Sequence, residues 1–176
     1  MARAPEKCVA HHVNRNVLRS KTVKKYKTTA NVRHHYLILD YNPYDLSYST
    51  RKFVTVASIV AMDQDILILD EPTAGQDYIG MKHLSNLIST LKNEGKTVIT
   101  ITHDMEFVVD NFERVIVMAS KRLLADGEKR DIFWNSEVLD KASLKQPHIS
   151  RLSSTLELQK KILTISEIVT YLKEKM

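Results

Sequence analysis

One short run constrains the fold more than any other stretch. Asp65-Ile66-Leu67-Ile68-Leu69-Asp70 is unbroken apolar sequence closed at both ends by acids. Its length, its β-branched residues and the breaker Glu71-Pro72-Thr73-Ala74-Gly75-Gln76 that follows predict a strand. Because its apolar residues do not alternate with polar ones, the strand is expected to be buried on both faces, as in parallel sheets. Thr97-Val98-Ile99-Thr100-Ile101-Thr102 predicts a second strand. Between the two, Met81, Leu84, Leu87, Ile88 and Leu91 recur at helical spacing. Asp77 is placed to cap that helix and Gly95 to take the left-handed turn after it. Strand, helix, strand in this order predicts an α/β fold with a parallel sheet and right-handed crossovers.

The flanks are read the same way. Asn42-Pro43 signals a turn, and Arg51 to Met62 predicts a helix with Ser47 or Ser49 as its N-cap. Met105 to Asp110 predicts a short helix. Arg114 to Met118 and Arg122 to Ala125 predict a hairpin joined at Ala119 to Lys121, with Asp126-Gly127 closing it. The tail from Glu128 reads as helical pieces interrupted at Lys145-Gln146-Pro147. Thr164-Ile165-Ser166-Glu167 has the pattern of a capping box, with Leu163 set to staple against Ile168. Ile165, Ile168, Val169 and Leu172 then form an apolar stripe that needs a packing partner. No stretch approaches the length of a membrane span, and the first residues lack the apolar block of a signal peptide. The single cysteine, Cys8, excludes an internal disulfide and gives no support to a zinc cluster. A cytoplasmic protein, or one held at a membrane by a partner, is the expectation.

Charge is uneven. Residues 1–40 carry nine Lys/Arg against Glu6 and Asp40, a net of +7, while the other 136 residues hold 17 basic and 19 acidic groups, a net of −2. Aromatic interleaving for base stacking is almost absent, so a solvated arm is favoured over a nucleic-acid contact. His11-His12 and His34-His35 make poor chelates, because adjacent side chains on an extended segment point to opposite faces. His35 to Asp40 is a candidate extra strand.

The chemistry concentrates where the first strand ends. Asp70 and Glu71 leave it at the carboxyl edge, where ligands bind in open α/β sheets. Asp70 can hold Mg²⁺ through water, and Glu71 can orient or deprotonate an attacking water. The second strand runs into Thr102-His103-Asp104. If the strands are neighbours, the His103 imidazole reaches the same edge and can donate to a phosphate oxygen. Two acids and a histidine at such strand ends form a layout suited to phosphoryl transfer.

Residues 41–176 resemble the ATP-binding subunits of ABC transporters, most closely those of energy-coupling-factor and cobalt-type importers. Ile66 to Thr73 is similar to the family's Walker B strand, with Asp70 and the catalytic Glu71. Ala74-Gly75-Gln76-Asp77 resembles the loop that meets the opposing subunit, and Thr102-His103-Asp104 the switch histidine. Leu46-Ser47-Tyr48-Ser49-Thr50 stands where the family's LSGGQ signature belongs. Ala142 to Pro147 and Ile149 to Leu152 resemble a tail common in that importer group. The resemblance implies a P-loop-NTPase-type sheet and ATP with Mg²⁺ as ligands. It assigns Asp70 to the metal, Glu71 and His103 to catalysis, and Ser47, Ser49 and Asp77 to ATP bound by a second subunit. The implied partners are another ABC ATPase subunit and transmembrane transporter subunits, at the inner face of the cell membrane. The chain then divides into a basic segment (1–40), a partial ATPase domain (41–127) and a helical tail (128–176).

Two departures from the family are visible. No Gly-x-x-x-x-Gly-Lys-Ser/Thr loop exists to wrap a phosphate in backbone N–H groups. Gly95-Lys96-Thr97 follows a helix instead of opening one, and position 90 is Thr90. In the signature, Tyr48 and Ser49 replace glycines and Thr50 replaces glutamine. The expectation is a partial ATP-binding subunit, inactive or very weak alone. The alternative is a non-catalytic module that completes the site of an intact ABC ATPase in trans. A nucleic-acid role for the basic segment ranks last.

Overall fold

The computed structural model describes residues 42–175, and these divide into two compact units at Ile101/Thr102. The candidate strand at His35–Asp40, both histidine pairs and the basic segment lie outside the described residues.

The first unit opens with a 3-10 turn, Pro43–Asp45, and helix α1, Tyr48–Val60. Ser47 is the N-cap: its side chain accepts from the Thr50 N–H at 3.3 Å. Arg51 ties turn to helix, donating to the Tyr44 and Leu46 carbonyls at 3.3 and 3.1 Å. Strand β1, Ile66–Asp70, pairs in parallel with β2, Thr97–Ile101, in the register Leu67↔Val98 and Leu69↔Thr100. Helix α2, Tyr78–Asn93, is the crossover between them. The Asp77 carboxylate accepts from the Gly80 N–H at 2.7 Å and starts it. Its stop is Gly95 at φ +80°, a conformation that costs glycine nothing.

The predicted stripe of α2 is its buried face: Leu84, Leu87, Ile88 and Leu91 are all buried. Leu87 and Leu91 pack with Val60 of α1 and Leu67 of β1, joined by Val56, Ile59 and Val98. Both helices therefore contribute to one apolar layer.

The expectation of a doubly buried β1 is corrected here. Its residues alternate: Leu67 and Leu69 are 2% and 4% exposed, whereas Ile66 and Ile68 are each 60% exposed. Across the register, Ile99 and Ile101 of β2 are 46% and 55% exposed. The sequence is apolar enough for two covering layers, and the described residues leave the second face uncovered.

The second unit holds α3 (Met105–Asn111), a hairpin of β3 (Arg114–Ala119) and β4 (Arg122–Glu128), and four helices. These are α4 (Lys129–Phe133), α5 (Ser136–Lys141), α6 (His148–Thr155) and α7 (Ile165–Lys175). The hairpin turns at Ser120-Lys121, which take φ +49° and +63°. Asp126-Gly127 lies inside β4 and does not close the hairpin. There Asp126 accepts two hydrogen bonds from Arg114, both 2.8 Å. Val109, Phe133, Leu139 and Leu163 form the centre of this unit.

The capping-box reading at α7 holds in its main part. The Glu167 N–H donates to Thr164 Oγ1 at 3.3 Å, and the Glu167 carboxylate accepts from the Leu163 N–H at 2.8 Å. Of the expected apolar stripe only Ile168 is buried; Ile165, Val169 and Leu172 face outward. Glu167 also takes a fork of bonds from Arg130 at 2.7 and 3.1 Å. These bonds hold its carboxyl at about 2, below an ordinary value of 4.5. A depressed folded-state value adds stability above pH 4.5 that disappears as the carboxylate protonates on the way down to pH 2. With both partners partly solvated, that contribution is on the order of 1 kcal/mol. The urea midpoint followed by Trp134 fluorescence should fall between those pH values, and Glu167→Gln should flatten that fall. An unchanged slope in the variant would assign the acid sensitivity elsewhere.

Candidate functional site

The candidate site is built at the carboxyl end of β1. Asp70 is the last residue of the strand and is exposed. Glu71 continues the ladder by one bond, its N–H donating to the Ile101 carbonyl at 2.8 Å. It then turns the chain sharply, with φ at +43°. A non-glycine residue in the left-handed region costs about 1 kcal/mol or more and persists only where its surroundings hold it. Those surroundings are visible. Lys52 of α1 donates to the Glu71 carbonyl and, at 3.0 Å, to the Ala74 carbonyl. The turn is closed by Ala74 N–H to Glu71 O and Gln76 N–H to Thr73 O, and Pro72 is buried beneath it.

Residues at the start of α1 are joined to the same loop. The Tyr48 ring lies against Gly75, whose φ is +70°; a Cβ there would stand 2.5 Å from Tyr48 Cε1. Lys52 also sits 5.9 Å from the Tyr48 ring centroid, within cation–π range. Ser49 Oγ donates to Gln76 Oε1 at 2.7 Å. Ser47 Oγ, besides capping α1, shares a 2.8 Å hydrogen bond with Thr50 Oγ1. Asp77 is engaged as the cap of α2. Thus Ser47, Ser49 and Asp77 each have an intrachain hydrogen-bond partner. The start of α1 and the Glu71–Gln76 loop form one knitted surface with Asp70 and Glu71 at its strand end.

His103 is the second residue of the second unit, exposed, at a bend two residues after β2. Beside it Asp104 caps α3 by accepting from the Phe107 N–H at 3.0 Å, and Asp104 N–H donates to Thr102 Oγ1 at 3.1 Å. The histidine thus has a fixed backbone position at the head of a capped helix.

Lys52 is the residue that sequence reasoning missed. It lies one helical turn after Tyr48, a spacing that puts the two on one face. Nothing in the sequence, however, shows that a loop 19 residues later turns its carbonyls toward that face.

Among the described residues, Gly95-Lys96-Thr97 does not make a phosphate cradle. Gly95 is a helix terminus, and Lys96 is committed elsewhere: it pairs with Asp63 at 2.8 Å and donates to the Gln64 carbonyl at 3.0 Å. Among the described residues no cluster of three or more His, Cys, Asp or Glu side chains could hold a metal by itself. Asp70 therefore offers one carboxylate to a cation that other ligands would have to hold. None of the described helices is long and apolar enough to cross a membrane.

No family model matches the chain. The energy-coupling factor transporter ATP-binding protein EcfA2 of Methanospirillum hungatei is 40% identical over 115 residues, 65% of this chain and 29% of that protein. EcfA2 of Mycoplasmopsis synoviae is 31% identical over 157 residues, 87% of this chain and 50% of its own length. The solved structure of cbiO1 from Clostridium perfringens, part of the ABC transporter complex cbiONQ, superimposes with a TM-score of 0.57 at 29% identity. That match covers 85% of this chain and 58% of cbiO1. The chain spans between 20% and 50% of the length of the curated relatives it matches.

Proposed function

We propose a role for this chain from one premise: its C-terminal part is homologous to the ATP-binding proteins of ABC transporters, the energy-coupling-factor type among them, and shares their fold. The chain is the signature and Walker B portion of such an ATP-binding subunit. The family role is to couple ATP hydrolysis to transport by membrane-embedded partner subunits on the cytoplasmic side. In that role Asp70 serves Mg²⁺ through water, Glu71 is the base for the attacking water, and His103 contacts the transferred phosphate. Ser47, Ser49 and Asp77 face ATP held by an opposing subunit.

One observation carries the reading and its limit together. The carboxylates leave a parallel strand at the edge where phosphates are bound, while the chain's only Gly-Lys-Thr is spent as a helix stop with its lysine paired to Asp63. Electrostatics and a base are of little use when nothing grips the triphosphate, because positioning supplies much of the rate in phosphoryl transfer. By itself the chain binds ATP·Mg²⁺ weakly and turns it over negligibly. The bond from Ser49 to Gln76 favours this reading over completion of an intact subunit in trans, since a serine-to-phosphate contact has to compete with it.

A fluorescent-nucleotide titration of the full chain tests this. No saturation is expected in the micromolar range, with or without Mg²⁺. Micromolar affinity would overturn the reading.

A further inference from the structure

In the second unit an open groove of about 400 Å³ lies between the turn of the β3–β4 hairpin and the last residue of α5, lined by Ala119, Ser120, Arg122, Leu124 and Lys141. Local sequence builds it. Ala119 and Arg122 are register partners at the turn, so their side chains share one face of the hairpin. A bare methyl beside a long arginine leaves a hollow that two long side chains would fill. The register slips between Val117 and Met118, which leaves Leu124 as the unpaired residue of a β-bulge. Leu123, paired with Met118, is exposed on the opposite face, and Leu124 is half-buried on the groove side.

Charge in the groove has one sign. Arg122 and Lys141 are cationic, they come from two different elements, and no lining side chain is acidic. Among the described residues the Arg122 guanidinium has no hydrogen-bond or ion-pair partner. Lys141 is paired with Glu137 of the same helix at 2.6 Å, with the two side chains 62% and 75% exposed. So exposed a pair contributes little net attraction, and an incoming anion can share the ammonium.

We propose that this groove binds a soluble phosphate monoester: a dianionic head on a small apolar body. A guanidinium fork takes two phosphate oxygens side by side, and the lysine and the Ser120 hydroxyl are donors for the rest. Two cations match the near-double charge of a monoester better than the single charge of a carboxylate. The groove has the volume of a small-molecule site, of which a phosphate fills a small part, and Leu124 with the Ala119 methyl gives the remainder an apolar wall. Glu137 and Asp140 stand on the same helix as Lys141, so the positive charge is a spot and not the stripe that a nucleic acid or an anionic membrane needs. The site is independent of the nucleotide-binding reading, since Asp70, Glu71 and His103 take no part in it.

The test titrates the full chain with phenyl phosphate at about pH 7.5, where a monoester is mostly doubly charged, and follows the backbone amides by NMR. Saturable shifts centred on Ser120 and Arg122 are expected. Arg122→Ala and Lys141→Ala should each weaken binding about tenfold or more, the loss of one charge-assisted contact. Arg122→Lys keeps the charge without the fork and should fall between. Lys121→Asn removes a neighbouring charge that does not line the groove, using a residue type that accepts φ +63°, and should leave affinity unchanged. All four variants should unfold at the same urea midpoint as the unaltered chain, read by Trp134 fluorescence.

Shifts that do not saturate overturn the site. So does an equal loss from Lys121→Asn and Arg122→Ala, which would mean diffuse attraction to a basic turn. Inorganic phosphate binding as tightly as phenyl phosphate would remove the apolar wall from the site and overturn the organic ligand. Sedimentation with phosphatidic-acid vesicles, lost in Arg122→Ala and unaccompanied by saturable phenyl phosphate binding, would assign the headgroup to a lipid and overturn the soluble one. Shifts confined to residues 70–77 would put the phosphate at the end of β1, which upholds the nucleotide-binding reading and sinks the groove.

Discussion

In any assembly where the chain supports ATP hydrolysis, Glu71→Gln is expected to slow that hydrolysis about 10²–10⁴-fold relative to the unaltered chain, while nucleotide binding stays equal. That range corresponds to about 2.7–5.4 kcal/mol of activation free energy. Glutamine keeps the shape and hydrogen-bonding reach of glutamate but does not take a proton from water. The substitution should isolate this chemistry because the Glu71 backbone is held from both sides. Its N–H is fixed on the Ile101 carbonyl, and its own carbonyl on Lys52. The left-handed turn at φ +43° is thus maintained by groups that the substitution does not touch. Single-turnover measurements at saturating ATP, paired with a binding titration, check the prediction. Equal rates in the two proteins would remove Glu71 from the chemistry. Robust turnover by the unaccompanied chain, abolished by the same substitution, would instead defeat the proposal that the chain alone turns ATP over negligibly.

What the sequence reveals follows the range of the forces involved. Helix α2 is legible from Asp77 through Asn93 because its cap, its apolar stripe and its glycine stop are local signals that agree. The ends of β1 and β2 are legible for the same reason, and with them the positions of Asp70, Glu71 and His103. Burial is different, since it belongs to layers. Ile66-Leu67-Ile68-Leu69 encodes a strand fit for two covering layers, and the described chain supplies α1 and α2 on one side only. The hairpin turn falls within Ala119 to Lys121 as read, although Ser120-Lys121 adopts positive φ without the Gly or Asn that usually marks such turns; Asp126-Gly127, read as closing the hairpin, carries the mark and lies in the strand. Long-range contacts are the least visible. Tyr48 on Gly75, Ser49 on Gln76 and Lys52 on the Glu71 carbonyl bridge up to 27 residues of sequence. These contacts tie the start of α1 to the Glu71–Gln76 loop.

Phe133→Ala should be the most destabilising single change in the second unit, at about 3–5 kcal/mol. Phe133 is fully buried and packs with Val109, Leu139 and Leu163, which come from three other segments of the unit. Its carbonyl accepts from Gln146 Nε2 at 3.0 Å, so the backbone around it is held and cannot easily collapse into the space left by the ring. A cavity of that size in a small unit consumes a large fraction of the 5–15 kcal/mol typical of a whole domain. Trp134, whose indole N–H donates to the Ile162 carbonyl at 3.3 Å, is the natural reporter, being the chain's single tryptophan. Urea unfolding should show the midpoint falling sharply for Phe133→Ala and hardly at all for Ile165→Ala, an outward-facing position. A cost below about 1 kcal/mol for Phe133→Ala would mean that this centre does not hold the unit together. The consequence reaches the candidate site, because Val109 belongs to α3, the helix whose capped start at Asp104 immediately follows His103. Loosening the Phe133 core loosens α3, and with it the segment that fixes the histidine backbone. His103 should therefore lose its positioning in Phe133→Ala even though the substitution lies 30 residues away in sequence.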